Sequence, residues 1–84
     1  MQITIYSTTT CPYCKMLKKY LTEKNISFIE KLIDQDDAAR DEMAKESSGF
    51  LGVPFVVIVK DDGSKETVVG FDKSKLNSIL GIQE

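Results

Sequence analysis

The 84-residue sequence has no histidine, only two cysteines and two prolines, and no block of like charge. Each shortage closes off a class of function. A Cys–His protease is excluded, because its nucleophile needs an imidazole base. A self-contained structural zinc site needs about four ligands, and only Cys11 and Cys14 are on offer. A net charge of −2 without a basic run argues against nucleic acid as the main partner. The longest apolar stretch, Pro54 to Val59, is strand-sized and far too short to cross a bilayer, so no membrane association is expected. The opening MQITIYSTTT lacks a charged segment followed by an apolar run. No secretory signal is therefore visible, and a cytoplasmic location is expected.

What is present is ordinary in bulk, with 42% hydrophobic and 29% charged residues. The length fits one domain over residues 1–84, with a small core of modest stability. Gln2 to Tyr6 reads as a strand, bounded by the polar run Ser7 to Thr10. Pro12 suits the first turn of a helix, and Tyr13, Met16, Leu17, Tyr20 and Leu21 recur at helical spacing until about Asn25. Ile26 to Ile33 reads as a second strand, and Asp34 to Asp37 supplies caps for a helix through Arg40, Met43 and Ala44. Ser47, Ser48 and Gly49 stop it.

Phe55 to Lys60 is apolar on both sides and predicts a central strand. Asp61, Asp62 and Gly63 signal a hairpin to Lys65–Val69. Gly70 ends that strand, Asp72 can cap a last helix carrying Leu76, Ile79 and Leu80, and Gly81 lies past its end. The order β-α-β-α-β-β-α predicts an α/β fold: one four-stranded mixed sheet with helices on both faces, three in all, its first two strands parallel across a right-handed crossover.

The two cysteines stand three positions apart in Cys11–Pro12–Tyr13–Cys14. A bridge across so small a loop removes little unfolded-state entropy, so it is poorly suited to being a staple. Cys11 falls where a strand and a short loop meet a helix N-terminus. Unpaired N–H groups and the positive end of the helix dipole stabilise a thiolate there. Cys14, one helical turn on, can reach Cys11 and is deeper in the helix. The asymmetry makes Cys11 the attacking thiolate and Cys14 the resolving thiol. Two buried hydrophobic cysteines are the plain alternative. An iron–sulfur cluster shared between two chains is another, since its thiolates would have to come from two copies or added thiols.

The CPYC tetrapeptide after a first strand, Val53–Pro54 before a later strand and Gly70–Phe71–Asp72 before the last helix follow in the order found in the glutaredoxins. The chain resembles that family over essentially its whole length. The resemblance implies a thioredoxin fold and reduction of disulfides and glutathione mixed disulfides, with glutathione as co-substrate and no tightly bound cofactor. It implies disulfide-containing or glutathionylated proteins as partners of a monomer. It further implies a cis Val53–Pro54 bond that exposes Val53 backbone to the cysteinyl part of glutathione. Asp72 would hold the γ-glutamyl ammonium, Gly70 and Phe71 would line the site, and Tyr13 would flank the ligand. Pro12 and Pro54 would support catalysis. A loop proline, a plain N-cap at Asp72, a strand terminator at Gly70 and a core aromatic at Tyr13 are the corresponding plain readings.

Departures from the family pattern also stand out. Thr8 occupies the position where the family often has lysine, which weakens the expected hold on a glutathione carboxylate. Lys15, Lys18 and Lys19 could compensate, or could simply form a solvated face. Arg40 resembles a glutathione-carboxylate contact, at the expense of one extra residue in Glu46–Gly49. Gly52 stands where threonine is common. Gly49–Phe50 and Gly70–Phe71 are similar to glutaredoxin-like redoxins that are reduced by thioredoxin reductase and deliver electrons to ribonucleotide reductase. Those usually lack the Pro-Tyr pair, so CPYC pulls the reading back toward glutaredoxin, and the sequence leaves the identity of the electron donor open.

Overall fold

A computed structural model describes residues 1–49 and 52–81. Phe50, part of the Gly49–Phe50 match, lies outside the described residues. The strands are β1 (Gln2–Ser7), β2 (Ile29–Leu32), β3 (Phe55–Val59) and β4 (Lys65–Val69). The helices are α1 (Pro12–Glu23), α2 (Asp37–Glu46) and α3 (Lys73–Leu80), in the expected alternation. Among the described residues no helix is long and apolar enough to cross a membrane.

The sheet order is β2-β1-β3-β4. β1 and β2 run parallel, while β1–β3 and β3–β4 are antiparallel, which gives the mixed sheet and thioredoxin fold. The position of β3 follows from its composition. Phe55, Val56, Val57 and Ile58 are all buried, as a strand covered on both faces requires.

The two faces bury different amounts. Ile3, Ile5, Val56, Ile58 and Val68 pack on Leu17, Tyr20 and Leu21 of α1 and Leu76 of α3. On the other face Tyr6, Phe55 and Val57 meet Met43 of α2. Asp36 caps α2 by accepting from the N–H groups of Ala38 and Ala39, and Gly81 closes α3 in the left-handed conformation.

The second strand is shorter than its sequence suggests. Pairing with β1 begins at Thr4↔Ile29, whereas Ile26 and Phe28 pack against the larger core from the loop before it. Their apolar character is satisfied by burial without a ladder. The first helix also stops earlier, at Glu23, and Asn25 takes a left-handed φ of 59° that asparagine tolerates better than most residues.

The register brings four loops to one end of the sheet. Ser7 at the end of β1 lies opposite Leu32 at the end of β2. Tyr6 lies opposite Phe55 at the start of β3, and Phe55 opposite Val69 at the end of β4. Thr8–Cys11, Ile33–Asp36, Val53–Pro54 and Gly70–Asp72 therefore all leave the sheet on the same side.

Candidate active site

Cys11 is the N-cap of α1, with an extended backbone, and Pro12 opens the helix. The turn before it closes through the Cys11 N–H, which donates to the Thr8 carbonyl at 3.5 Å. Proline suits this position because the N–H it lacks would have no intrahelical acceptor. The Cys14 N–H donates to Cys11 Sγ at 3.2 Å. The two sulfurs are joined in a disulfide, with Cα atoms 5.2 Å apart. Cys11 retains 8% of its surface and Cys14 only 1%, so Cys11 is the less covered of the two. The first turn of α1 carries no Asp or Glu to oppose negative charge there.

A residue that sequence reasoning passed over holds the loop. Asp34 accepts from the Thr9 N–H at 3.0 Å and from Thr9 Oγ1 at 2.7 Å. Those bonds hold the Asp34 carboxyl below its ordinary value. In the sequence it is one cap candidate among Asp34–Asp37, and only the fold separates it from Asp36, the cap itself. Thr8, Ile33, Asp34 and Arg40 line one groove of about 240 Å³. Thr8 and Arg40 thus come together, with a carboxylate beside them.

The helix is tied down a second time. Ser7 is fully buried, and its hydroxyl donates at 2.8 Å to Glu30, which pairs with Lys18 at 2.6 Å. Burial pushes the Glu30 carboxyl up, but the bonds from Lys18 and Ser7 outweigh it and leave it below the usual range. Lys18 is therefore a tether between α1 and β2 and no part of a solvated face. Lys19 is exposed, near Glu23 at 4.0 Å.

The Val53–Pro54 bond is cis, as the resemblance implies. Pro54 is buried, and its carbonyl accepts from the Gly70 N–H at 2.7 Å. Gly70 has φ 77°, and among the described residues no atom beyond its own chain neighbours lies within 4 Å of where a Cβ would stand. Glycine is needed there for its backbone, not for room. Asp72 caps α3 by accepting from the Lys75 N–H at 3.1 Å, so the plain N-cap reading holds at least in part. Phe71 leans on Tyr20 with ring centroids 5.8 Å apart. Tyr13 is 62% exposed, which removes the core reading for that side chain.

The arrangement can exchange thiols for disulfides: one cysteine on a helix N-cap, a second, more deeply covered one a turn further on, and a cis-proline loop leaving the same end of the sheet. The glutaredoxin family model matches residues 3–62. An uncharacterized glutaredoxin-like protein of 8.6 kDa from the rubredoxin operon of Clostridium pasteurianum is 41% identical over 78 residues, spanning 93% of this chain and 96% of that one. The crystal structure of the thioredoxin-like protein BC3987 superposes with a TM-score of 0.79 at 33% identity, over 94% of this chain and 100% of that one. NrdH-redoxin from Escherichia coli, a glutaredoxin-like protein described as having a thioredoxin-like activity profile, gives 0.74 at 25% identity, over 94% and 95%. With its CxxC pair at the head of α1, this chain belongs to the glutaredoxin family.

Proposed function

We propose that the protein is a cytoplasmic, monomeric dithiol oxidoreductase in which Cys11 is the nucleophile and Cys14 the resolving thiol. The Cys11 thiolate attacks one sulfur of a disulfide and displaces the other as a thiolate, which takes up a proton. Cys14 then gives up its proton and attacks Cys11 Sγ. The second substrate sulfur leaves as a thiol, and the Cys11–Cys14 bridge holds the two electrons' worth of oxidation. One observation carries this reading: the backbone N–H of Cys14 points at the Sγ of Cys11, the less covered of the two cysteines. The same donor would steady a thiolate after reduction.

For the return to the dithiol we favour glutathione, two molecules yielding one glutathione disulfide. Val53 backbone beside cis-Pro54, Gly70, Phe71 and Asp72 at the head of α3, and exposed Tyr13 would form its site, with Thr8 and Arg40 at its far end. The CPYC tetrapeptide supports this choice. A second reading, reduction by thioredoxin reductase, is favoured by Thr8 standing where the family often has lysine. Asp34 sets a negative charge beside Arg40 in the groove that would take a glutathione carboxylate. The likeness to NrdH-redoxin points the same way.

A glutathione-coupled assay on a glutathione mixed disulfide, run beside a thioredoxin-reductase-coupled assay, tests both levels. Cys11→Ser should abolish turnover with either donor, while Cys14→Ser should keep turnover with glutathione on the mixed disulfide. Comparable retention in both variants would overturn the assignment of roles. Turnover with the reductase and none with glutathione would replace the first donor by the second.

A further inference from the structure

Between the end of β1 and the start of α1 the chain has little packing to hold it. Ser7 is buried, but Thr9 and Thr10 are exposed, and Cys11 follows at once. The turn that closes here, from the Cys11 N–H to the Thr8 carbonyl, is long at 3.5 Å. Hydrogen bonds to the rest of the fold therefore carry much of the restraint, and those of Thr9 go to Asp34, 25 positions away. Its N–H at 3.0 Å and its Oγ1 at 2.7 Å reach the same carboxylate oxygen, Oδ2.

Asp34 can serve as an anchor because its own turn is held on both sides. Before it, the Ile33 N–H donates to the Ser7 carbonyl at 2.9 Å, and Ile33 packs against the Tyr6–Met43 cluster. After it, the N–H groups of Gln35 and Asp36 donate to the Leu32 carbonyl at 3.2 and 3.0 Å, and Asp36 caps α2. The bonds from Thr9 hold the Asp34 carboxyl below its ordinary value, so it is ionised at neutral pH. A negative charge has the wrong sign to stabilise a thiolate, and Arg40, from α2, is the cation lining the same groove. Two residues and one hydrogen bond put Asp34 on the order of 10 Å from Cys11. In a water-like medium a charge so placed moves the half-ionisation pH of a thiol by only about 0.3. What the carboxylate supplies is position.

Resting on the dithiol chemistry proposed above, we infer that Asp34 is a positioning residue for it: by clamping Thr9, it keeps Cys11 Sγ in line with the Cys14 N–H. That N–H lies 3.2 Å from the sulfur, a contact that a loose Thr8–Thr10 segment would lengthen. Asp34 thus acts through Thr9, and its effect is a thiolate that is both more stable and better aimed.

Two measurements on the reduced protein, freed of reductant, test the clamp. One is the rate at which iodoacetamide alkylates Cys11 from about pH 4 to about pH 9, which traces the thiolate. The other is single-turnover reduction of the neutral bis(2-hydroxyethyl) disulfide, which yields two molecules of mercaptoethanol and the Cys11–Cys14 bridge. Asp34→Ala should raise the half-ionisation pH by about 0.5 to 1 and slow the reduction about tenfold. Asp34→Asn keeps an oxygen that can accept both bonds, so it should recover most of the rate and ionise about 0.3 lower than the unaltered protein. Thr9→Val keeps the N–H and loses the hydroxyl, and should fall between Asp34→Ala and the unaltered protein. A half-ionisation pH lowered equally by Asp34→Ala and Asp34→Asn would mean that the carboxylate acts only as a charge, and would overturn the inference. So would an alkylation profile and a rate unmoved by Asp34→Ala, whatever happens to its urea midpoint. Failure of the unaltered protein to reduce the disulfide would instead sink the underlying function, and the alkylation profile would still decide the clamp.

Discussion

The two faces of the sheet are built on different principles. Beneath α1 and α3, nine buried residues among those described form a largely apolar layer that includes Ile5, Leu17, Leu21, Ile58 and Leu76. Beneath α2 the buried cluster among the described residues is smaller, Tyr6, Met43, Phe55 and Val57, with Ala39 buried on the helix itself, and polar groups add to the contact. Glu42 accepts from the Tyr6 hydroxyl at 2.5 Å and from Lys31 at 2.7 Å, joining α2 to β1 and β2. The redox helix therefore rests mainly on packing, which salt and pH hardly change, with the Lys18–Glu30 pair as one charged tether beside it. The opposite helix rests partly on charge. A nucleophile that must stay fixed while a disulfide is exchanged gains from the first kind of support.

The sharpest way to break this contrast is to cut into each core. Leu17→Ala, with no exposed surface at that side chain, should cost about 3–5 kcal/mol, read from the urea midpoint. Met43→Ala should cost less, about 2–3 kcal/mol, because a smaller and more polar layer surrounds it. Equal losses would erase the distinction. Next in size, Asp72→Ala removes the cap of α3 and should cost about 1 kcal/mol, through the larger face alone.

The smallest effect concerns acid. The bond from Lys31, with that from Tyr6, holds the Glu42 carboxyl below its ordinary value of 4.5. Its unfolded state thus takes up a proton first as pH falls, so the pair's stabilisation is complete above about pH 4.5 and is lost on passing down through the folded value. Glu42→Gln should flatten that part of the pH–stability curve by about 0.2–1 kcal/mol, the size typical of a partly exposed pair. An unchanged curve would mean that α2 does not depend on the Glu42 charge.

Most of this architecture was legible because local chemistry and tertiary need agree. Pro12, Asp72 and Gly81 mark helix ends for backbone reasons that no packing overrides, and Phe55–Val59 has no polar side to expose. Legibility failed where one residue type serves two masters. Ile26 and Phe28 look like strand residues because both strands and buried loops want apolar side chains. Asp34 and Asp36 are chemically alike, and only the arrival of Thr9 from a distant part of the chain gives one of them a different partner. At the site, spacing revealed the paired sulfurs. That Lys18 would turn inward to Glu30, and that Arg40 would share a groove with Thr8, depends on which strand lies next to which helix.

The near-complete cover over Cys14 also bears on chemical damage. Peroxide can reach Cys11 and add a single oxygen to it, giving a sulfenic acid. The neighbouring thiol, roofed from solvent yet in bonding range, can then expel that oxygen as water and close the ring. An injury that would otherwise climb toward an irreversible acid is returned to the Cys11–Cys14 disulfide, a reversible form.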